Sequence, residues 1–192
     1  QRQMCIRDSN ATVTSTGADV TVNAGDNIVL DTGSDITATA AGGDITLNSG
    51  VGDNDDIGSQ TLDATISANT TNGIVTIDLG ADTGTGAAAD GTAGTITSFE
   101  LLLLSMNNAA ATFTLDNDGH DVDELAANTS GDITFRDDDG LLVDTVATTM
   151  GISTGNGVAT GGFVLIDSSN APGGTIEAVS YTHLTLPTTD RV

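Results

Sequence analysis

His120 is the one histidine in the interior of the chain, and it lies in the run Asp116-Asn-Asp-Gly-His-Asp-Val-Asp. A histidine beside carboxylates is a pairing that general acid–base catalysis uses. The remaining parts of such a site are missing from the sequence. No cysteine accompanies it, and no nucleophile motif is visible. The surrounding Asp, Asn and Gly are turn formers, so the run predicts an exposed turn histidine and no catalytic residue.

Three acidic clusters invite a second chemistry: Asp53-Asn-Asp-Asp56, Asp116 to Asp123, and Asp137-Asp-Asp-Gly140. Calcium is a hard cation that gathers six to eight oxygens. None of the clusters has the EF-hand order, because the fifth position counted from Asp116 is His120 and no Glu closes a twelve-residue loop. None matches the Gly-Gly-x-Gly-x-Asp nonapeptide either. The expectation is solvated turns, no cofactor and no dedicated metal site, with weak calcium binding by the acidic turns as the competing reading. Paired carboxylates also serve glycoside hydrolysis. Carboxylates are everywhere in this chain and aromatic sugar platforms are scarce, so a carbohydrate-active enzyme is a secondary reading.

The two ends read as translated sequencing adapter. The codons CAG CGT CAG ATG TGT ATA AGA GAC AG, the end of a transposase-type library adapter, encode Gln1 to Asp8 and open Ser9. The reverse complement, GTC TCT TAT ACA CAT CTG ACG CTG CCG ACG, encodes Val179 to Thr188. Such segments are set aside before reasoning about a fold. The expected division is therefore 1–9 adapter, 10–178 native segment and 179–192 adapter.

Setting the ends aside removes Cys5, Tyr181, His183 and three of the four basic residues. The full chain carries a formal charge of −23 with 27 carboxylates; 25 of them lie in residues 10–178, where Arg136 is the lone cation facing them. Phosphate backbones need Lys and Arg to neutralise them, which argues against nucleic acid. An anionic membrane surface is disfavoured for the same reason. The longest apolar run, Leu101 to Leu104, is far short of the roughly 20 residues of a membrane span, so no membrane insertion is expected.

The elements that must position these residues are strands. Short alternating runs recur: Asp19-Val-Thr-Val, Asn27-Ile-Val-Leu, Asp35-Ile-Thr-Ala, Asp44-Ile-Thr-Leu, Ile74-Val-Thr-Ile, Thr112-Phe-Thr-Leu and Asp132-Ile-Thr-Phe. Apolar residues at every second position make a strand with one buried face. Gly, Asn and Asp fill the gaps as turns. Val20 and Ile45 lie 25 apart, Phe113 and Ile133 lie 20 apart. A period of 20 to 25 residues with three short strands predicts a solenoid. The fold class read here is all-β, a parallel β-helix, with a β-sandwich repeat as the alternative. Stacked at the inter-strand spacing, seven or eight coils would make a rod of roughly 35 Å. The inward set includes Val20, Val22, Ile36, Ile45, Leu47, Ile74, Ile77, Phe113, Leu115, Ile133, Phe135 and Val164. Residues 80–94, rich in Ala and Gly, read as an inserted loop that covers the outer side of Leu101 to Leu104.

The segment Thr112 to Gly157 resembles the large bacterial surface proteins of the filamentous-haemagglutinin-like and autotransporter-adhesin type. The residues that carry the likeness are Thr112-Phe-Thr-Leu-Asp-Asn, Asp121-Val-Asp-Glu-Leu-Ala-Ala-Asn, Ser130-Gly-Asp-Ile-Thr-Phe and Gly151-Ile-Ser-Thr-Gly-Asn-Gly, with Gly43-Asp-Ile-Thr-Leu in the same idiom. The resemblance implies a β-helical stalk on the bacterial cell surface, outside the outer membrane, with a structural or adhesive role. It implies as partners a host or neighbouring-cell surface, possible glycan ligands, and further repeats of the same parent chain. A calcium-dependent β-sandwich repeat is the third reading.

The charge itself yields a prediction. So many like charges on one short body repel, and salt screens them over about 10 Å at 0.1 M. The thermal midpoint should rise with sodium chloride. Calcium at matched ionic strength should raise it at lower concentration. A midpoint indifferent to both would contradict this account of the charge.

Overall fold

The computed structural model describes residues 12–51, 58–80, 86–105, 111–154, 164–167 and 176–178. Every regular element among them is a strand. Residues 1–9 and 179–192, read above as adapter, lie outside the described residues, and so does the cluster Asp53 to Asp56.

The strands group into successive circuits of the chain. The first circuit holds β1 (Thr12–Ser15), β2 (Val20–Asn23) and β3 (Ile28–Leu30). The second holds β4 (Asp35–Ala38), β5 (Ile45–Asn48) and β6 (Gln60–Leu62), and the third holds β7 (Thr65–Ser67), β8 (Ile74–Asp78) and β9 (Ala87–Asp90). In the fourth, β10 (Thr95–Leu104) runs along the first two sides as one strand, and β11 (Thr112–Leu115) makes the third. The fifth repeats that plan with β12 (Asp121–Asn128) and β13 (Ile133–Arg136). Then come β14 (Leu141–Val143), a hairpin of β15 (Thr145–Val146) and β16 (Thr149–Met150), β17 (Ile152–Ser153), β18 (Val164–Asp167) and β19 (Ile176–Ala178).

Each strand pairs with its counterpart one circuit on. The ladders form an eleven-stranded sheet and a six-stranded sheet. All pairings among the described residues are parallel except the β15–β16 hairpin. Sandwiches are built from antiparallel sheets, so the alternative reading does not fit the described strands.

Register carries like side chains onto like. Ile36 pairs with Ile66, and Ile66 with Ile96. Val20, Ile45, Val75, Leu101 and Leu125 follow one another down a second column. Ala88, Phe113 and Ile133 belong to a third. These residues form one continuous buried core, with Leu101, Leu103, Phe135 and Ile45 wholly inaccessible. One polar residue enters it early: Gln60 stands between Ile28 and Ala88. Its amide donates to the carbonyls of Leu47 and Asp78, each at 2.9 Å.

Three inward expectations need correction. Ile74 faces outward, because register places Val75 between Ile45 and Leu101. Val22 is only partly buried and packs on the edge of the core. Val164 is 36% exposed, since β18 is the outermost strand of its sheet and no further described strand covers it.

The stretch read as a single loop also resolves differently. Residues 81–85 lie outside the described set, but Ala87–Asp90 are strand β9, paired with both β6 and β11. Small Ala residues read as loop because they give no period-two contrast with Gly and Thr. The outer cover over Leu102 comes from the β15–β16 hairpin instead. Val146 of that hairpin packs with Leu102 and Ala126 in a second apolar cluster, with Ile74 and Leu104 at its margin.

Deleting core side chains should cost stability in proportion to burial. Leu103→Ala should destabilise by about 2–5 kcal/mol, and Val164→Ala by under about 1 kcal/mol. Gly131→Ala should also be severe, because a Cβ there would overlap the Ala111 carbonyl oxygen. Urea unfolding checks all three, and equal losses for Leu103→Ala and Val164→Ala would refute the inward assignment.

Candidate functional site

The residues with chemical potential converge on one corner of the circuits, where the third side turns into the first. The turns after β9, β11 and β13 stack there. Backbone carbonyls serve some turn N–H groups here, as for Asp63 and Asp138, and side-chain acceptors take others. Asp63 Oδ1 accepts from the Ala93 N–H at 2.8 Å. Asp90 Oδ2 accepts from the Asn117 N–H at 2.8 Å, and its Oδ1 from the Asp116 N–H at 3.3 Å. Asp137 Oδ1 accepts from the Val122 N–H at 3.0 Å. Asp63 and Asp90 link to the backbone one circuit on, and Asp137 reaches back to the start of its own circuit.

His120 sits at the centre of this corner and overturns the expectation of an exposed turn residue. It is fully buried. The turn is made by the residues before it, and His120 is already the first inward position of the next circuit. It lies one residue before the Thr97–Asp121 pair, on the column of Ile36, Ile66 and Ile96. The Ile96 N–H donates to its Nδ1 at 2.9 Å. That leaves Nε2 to carry the ring proton and to donate to Asp90 Oδ2 at 3.0 Å. The Asp90 side chain is 3% exposed. The ring stacks on Phe135, with centroids 5.4 Å apart and planes at 15°.

Asp90 is itself a replacement of the same kind. It pairs with Leu62, which pairs with Leu30, so a carboxylate follows two leucines down that column. The polar pair therefore takes two places that other circuits give to aliphatic side chains. Burying a polar group costs stability unless its hydrogen bonds are made. Here the carboxylate receives three donors and both ring nitrogens are engaged. Neither nitrogen is left to activate a nucleophile.

An open groove of about 460 Å³ lies outside this pair, lined by Asp90, Gly91, Thr92, Asp116, Asn117, Asp118 and Arg136. Arg136 bonds Asp118 and reaches Asp167 at 3.5 Å, and these partners raise its pKa further. Among the described residues no group of three or more His, Cys, Asp or Glu is placed to hold a metal ion. The Asp116–Asp123 cluster is split by the fold. Asp90 takes the N–H groups of Asp116 and Asn117, while Asp121 heads β12.

Asp137 is the strongest electrostatic anomaly. Burial pushes its carboxyl up to about 7, against the lowering effect of the Val122 and Asp139 N–H groups. Burial likewise raises Asp121 and Glu124, each with help from neighbouring carboxylates, and it raises Glu100 and Asp78. Sequence reasoning had no access to these shifts, since they depend on which turns stack.

No protein-family model, curated protein or solved structure matches this chain.

A pH prediction follows from the sign of the Asp137 shift. Unfolded, the carboxyl titrates near 3.8; folded, near 7. The folded state therefore holds the proton more tightly. Its stabilising effect is complete below about pH 4 and is lost as pH rises through 7. The whole shift corresponds to about 4 kcal/mol. Asp137 has no exposed area, yet it sits in a turn whose next two residues, Asp138 and Asp139, are exposed. Solvent screening reduces the effect to about 1–2 kcal/mol, or roughly 3–6 °C. The midpoint should be higher at pH 5 than at pH 8, and Asp137→Asn should shrink the difference. A midpoint that instead climbs from pH 5 to pH 8 would contradict the assignment.

Proposed function

We propose that this chain is a parallel β-helix and serves as a stalk segment of a large secreted bacterial surface protein. In this reading it works by reach, stiffness and a repetitive outer face. The observation that carries the reading is the in-register stacking of β4, β7, β10 and β12, each parallel to the last. A body built this way grows along one axis, each unit burying its apolar face against its neighbours. Further repeats of the same parent chain would extend the same ladders at both ends.

Other features agree with this role. The outward positions of the ladders are mostly Thr, Asn and Asp, as in the Thr46–Thr76 and Asn48–Asp78 pairs. Asn48 donates from its amide to Asn23 Oδ1 at 2.8 Å, binding one circuit to the next. The polar atoms of the corner serve the backbone. No helix among the described residues is long and apolar enough to cross a membrane. The adhesive part of the reading rests on the sequence idiom alone, and its partners would be a host or neighbouring-cell surface, glycans included.

Two measurements on the purified chain test the proposal. Small-angle scattering should give a profile of constant cross-section and elongated shape, and an isometric profile would defeat the stalk reading. Beads coated with the chain should adhere to cell monolayers or a glycan array above beads coated with an unrelated acidic protein. Absence of that excess would remove the adhesive role.

A further inference from the structure

The His120 corner holds an arrangement that the stalk role does not require. Along the first part of β10, backbone N–H groups alternate in direction. The Thr95 N–H points back and donates to the Ala64 carbonyl of the third circuit at 3.0 Å. The Ile96 N–H points forward to the fifth circuit, where the His120 ring stands in for a backbone carbonyl. One ladder bond between the fourth and fifth circuits therefore depends on an unprotonated ring nitrogen.

We propose that the His120 imidazole is a proton-operated latch between these circuits: a second proton, taken up at Nδ1, releases the Ile96 amide while Asp90 keeps the ring seated. The chemistry is that of the two ring nitrogens. Neutral imidazole has one donor and one acceptor, and imidazolium has two donors and no acceptor. Protonation sets the new Nδ1–H against the Ile96 N–H, and that bond cannot survive. The bond from Nε2 to Asp90 persists in both states and becomes charge-assisted in the protonated one. Phe135 continues to cover one face of the ring. The latch thus gives way at one bond, and the ring stays in the core.

The groups around the ring support a local event. From β9, Asp90 is the carboxylate that touches it. From the segment after β13, Asp138 donates its backbone N–H to the His120 carbonyl at 2.7 Å, and Asp137 holds the Val122 N–H two residues along. Arg136 on β13 is tied to Asp118 and Asp167. In the turn of His120 itself, Asp116 donates its backbone N–H to Asp90. Asp121 and Asp123 follow His120 on β12, and Glu100 lies at the middle of β10 beside Glu124. Asp137 protonates without losing its place, because burial already favours its neutral form.

Nuclear magnetic resonance on the full chain tests the latch. An acid titration should follow the His120 ring nitrogens together with hydrogen exchange at two amides, each corrected for its intrinsic rate. As Nδ1 gains its proton, Ile96 should lose protection by about tenfold or more, while Thr95 stays protected. His120→Gln keeps an uncharged acceptor and donor at the site, and its Ile96 protection should be independent of acid. Two results would overturn the latch. One is an Ile96 amide that stays protected beside a doubly protonated ring. The other is loss of Thr95 and Ile96 together, which signals general unfolding. If the Gln variant does not fold, the comparison of ring shifts with Ile96 exchange in the wild-type chain decides the matter.

Discussion

Every circuit of this chain depends on its neighbours for its backbone hydrogen bonds. Parallel strands satisfy each other along the sides, but at the turns only part of the backbone, such as the Asp63 and Asp138 N–H groups, meets a carbonyl. An unpaired buried N–H costs as much as a lost hydrogen bond, so each corner needs an acceptor. Asp supplies it repeatedly. Asp19 Oδ1 accepts from the Asp44 N–H, and Asp44 Oδ1 in turn from the Ile74 N–H. Asp63, Asp90 and Asp137 do the same at the corner below β9, β11 and β13. The acidity of the chain is therefore partly architectural: many carboxylates are present because they bind backbone.

That use of charge has consequences for the electrostatics. A carboxylate that accepts backbone N–H groups in the open is stabilised as an anion, as at Asp63, whose bonds with Thr32 and Ala93 lower its pKa. A carboxylate drawn under the surface meets the opposite pressure, as at Asp137. The same residue type at equivalent turns thus titrates in opposite directions. Depth beneath the surface decides between them, because desolvation grows faster with burial than two backbone hydrogen bonds can offset.

The interior shows how far a repetitive core tolerates exceptions. Aliphatic columns run through successive circuits until Asp90 and His120 interrupt two of them at one corner. A single polar substitution there would leave an unsatisfied group in the core. The two together satisfy each other, and Phe135 covers the ring. Outside the core, the β15–β16 hairpin performs a similar repair. Leu102 turns outward because Leu101 and Leu103 turn in, and Val146 hides it.

The sequence by itself determined the strand class, the approximate period and most of the core. Alternation of Ile, Val and Leu with Thr and Asp has one physical solution, a strand with one buried face, and near-copies 25 residues apart imply stacking. These are local properties, and composition exposes them. Ile74, Val22 and Val164 escaped because register and position at an edge, rather than the alternation itself, decide their burial. Ala87 to Ala89 escaped because small residues give no contrast between faces. The His120–Asp90 pair was invisible for a further reason. The two residues lie 30 positions apart, and each sits in a run that reads as a turn. Only the stacking of one circuit on the next brings a carboxylate, a ring nitrogen and the Ile96 amide within hydrogen-bonding distance, and that distance is a property of the tertiary register alone.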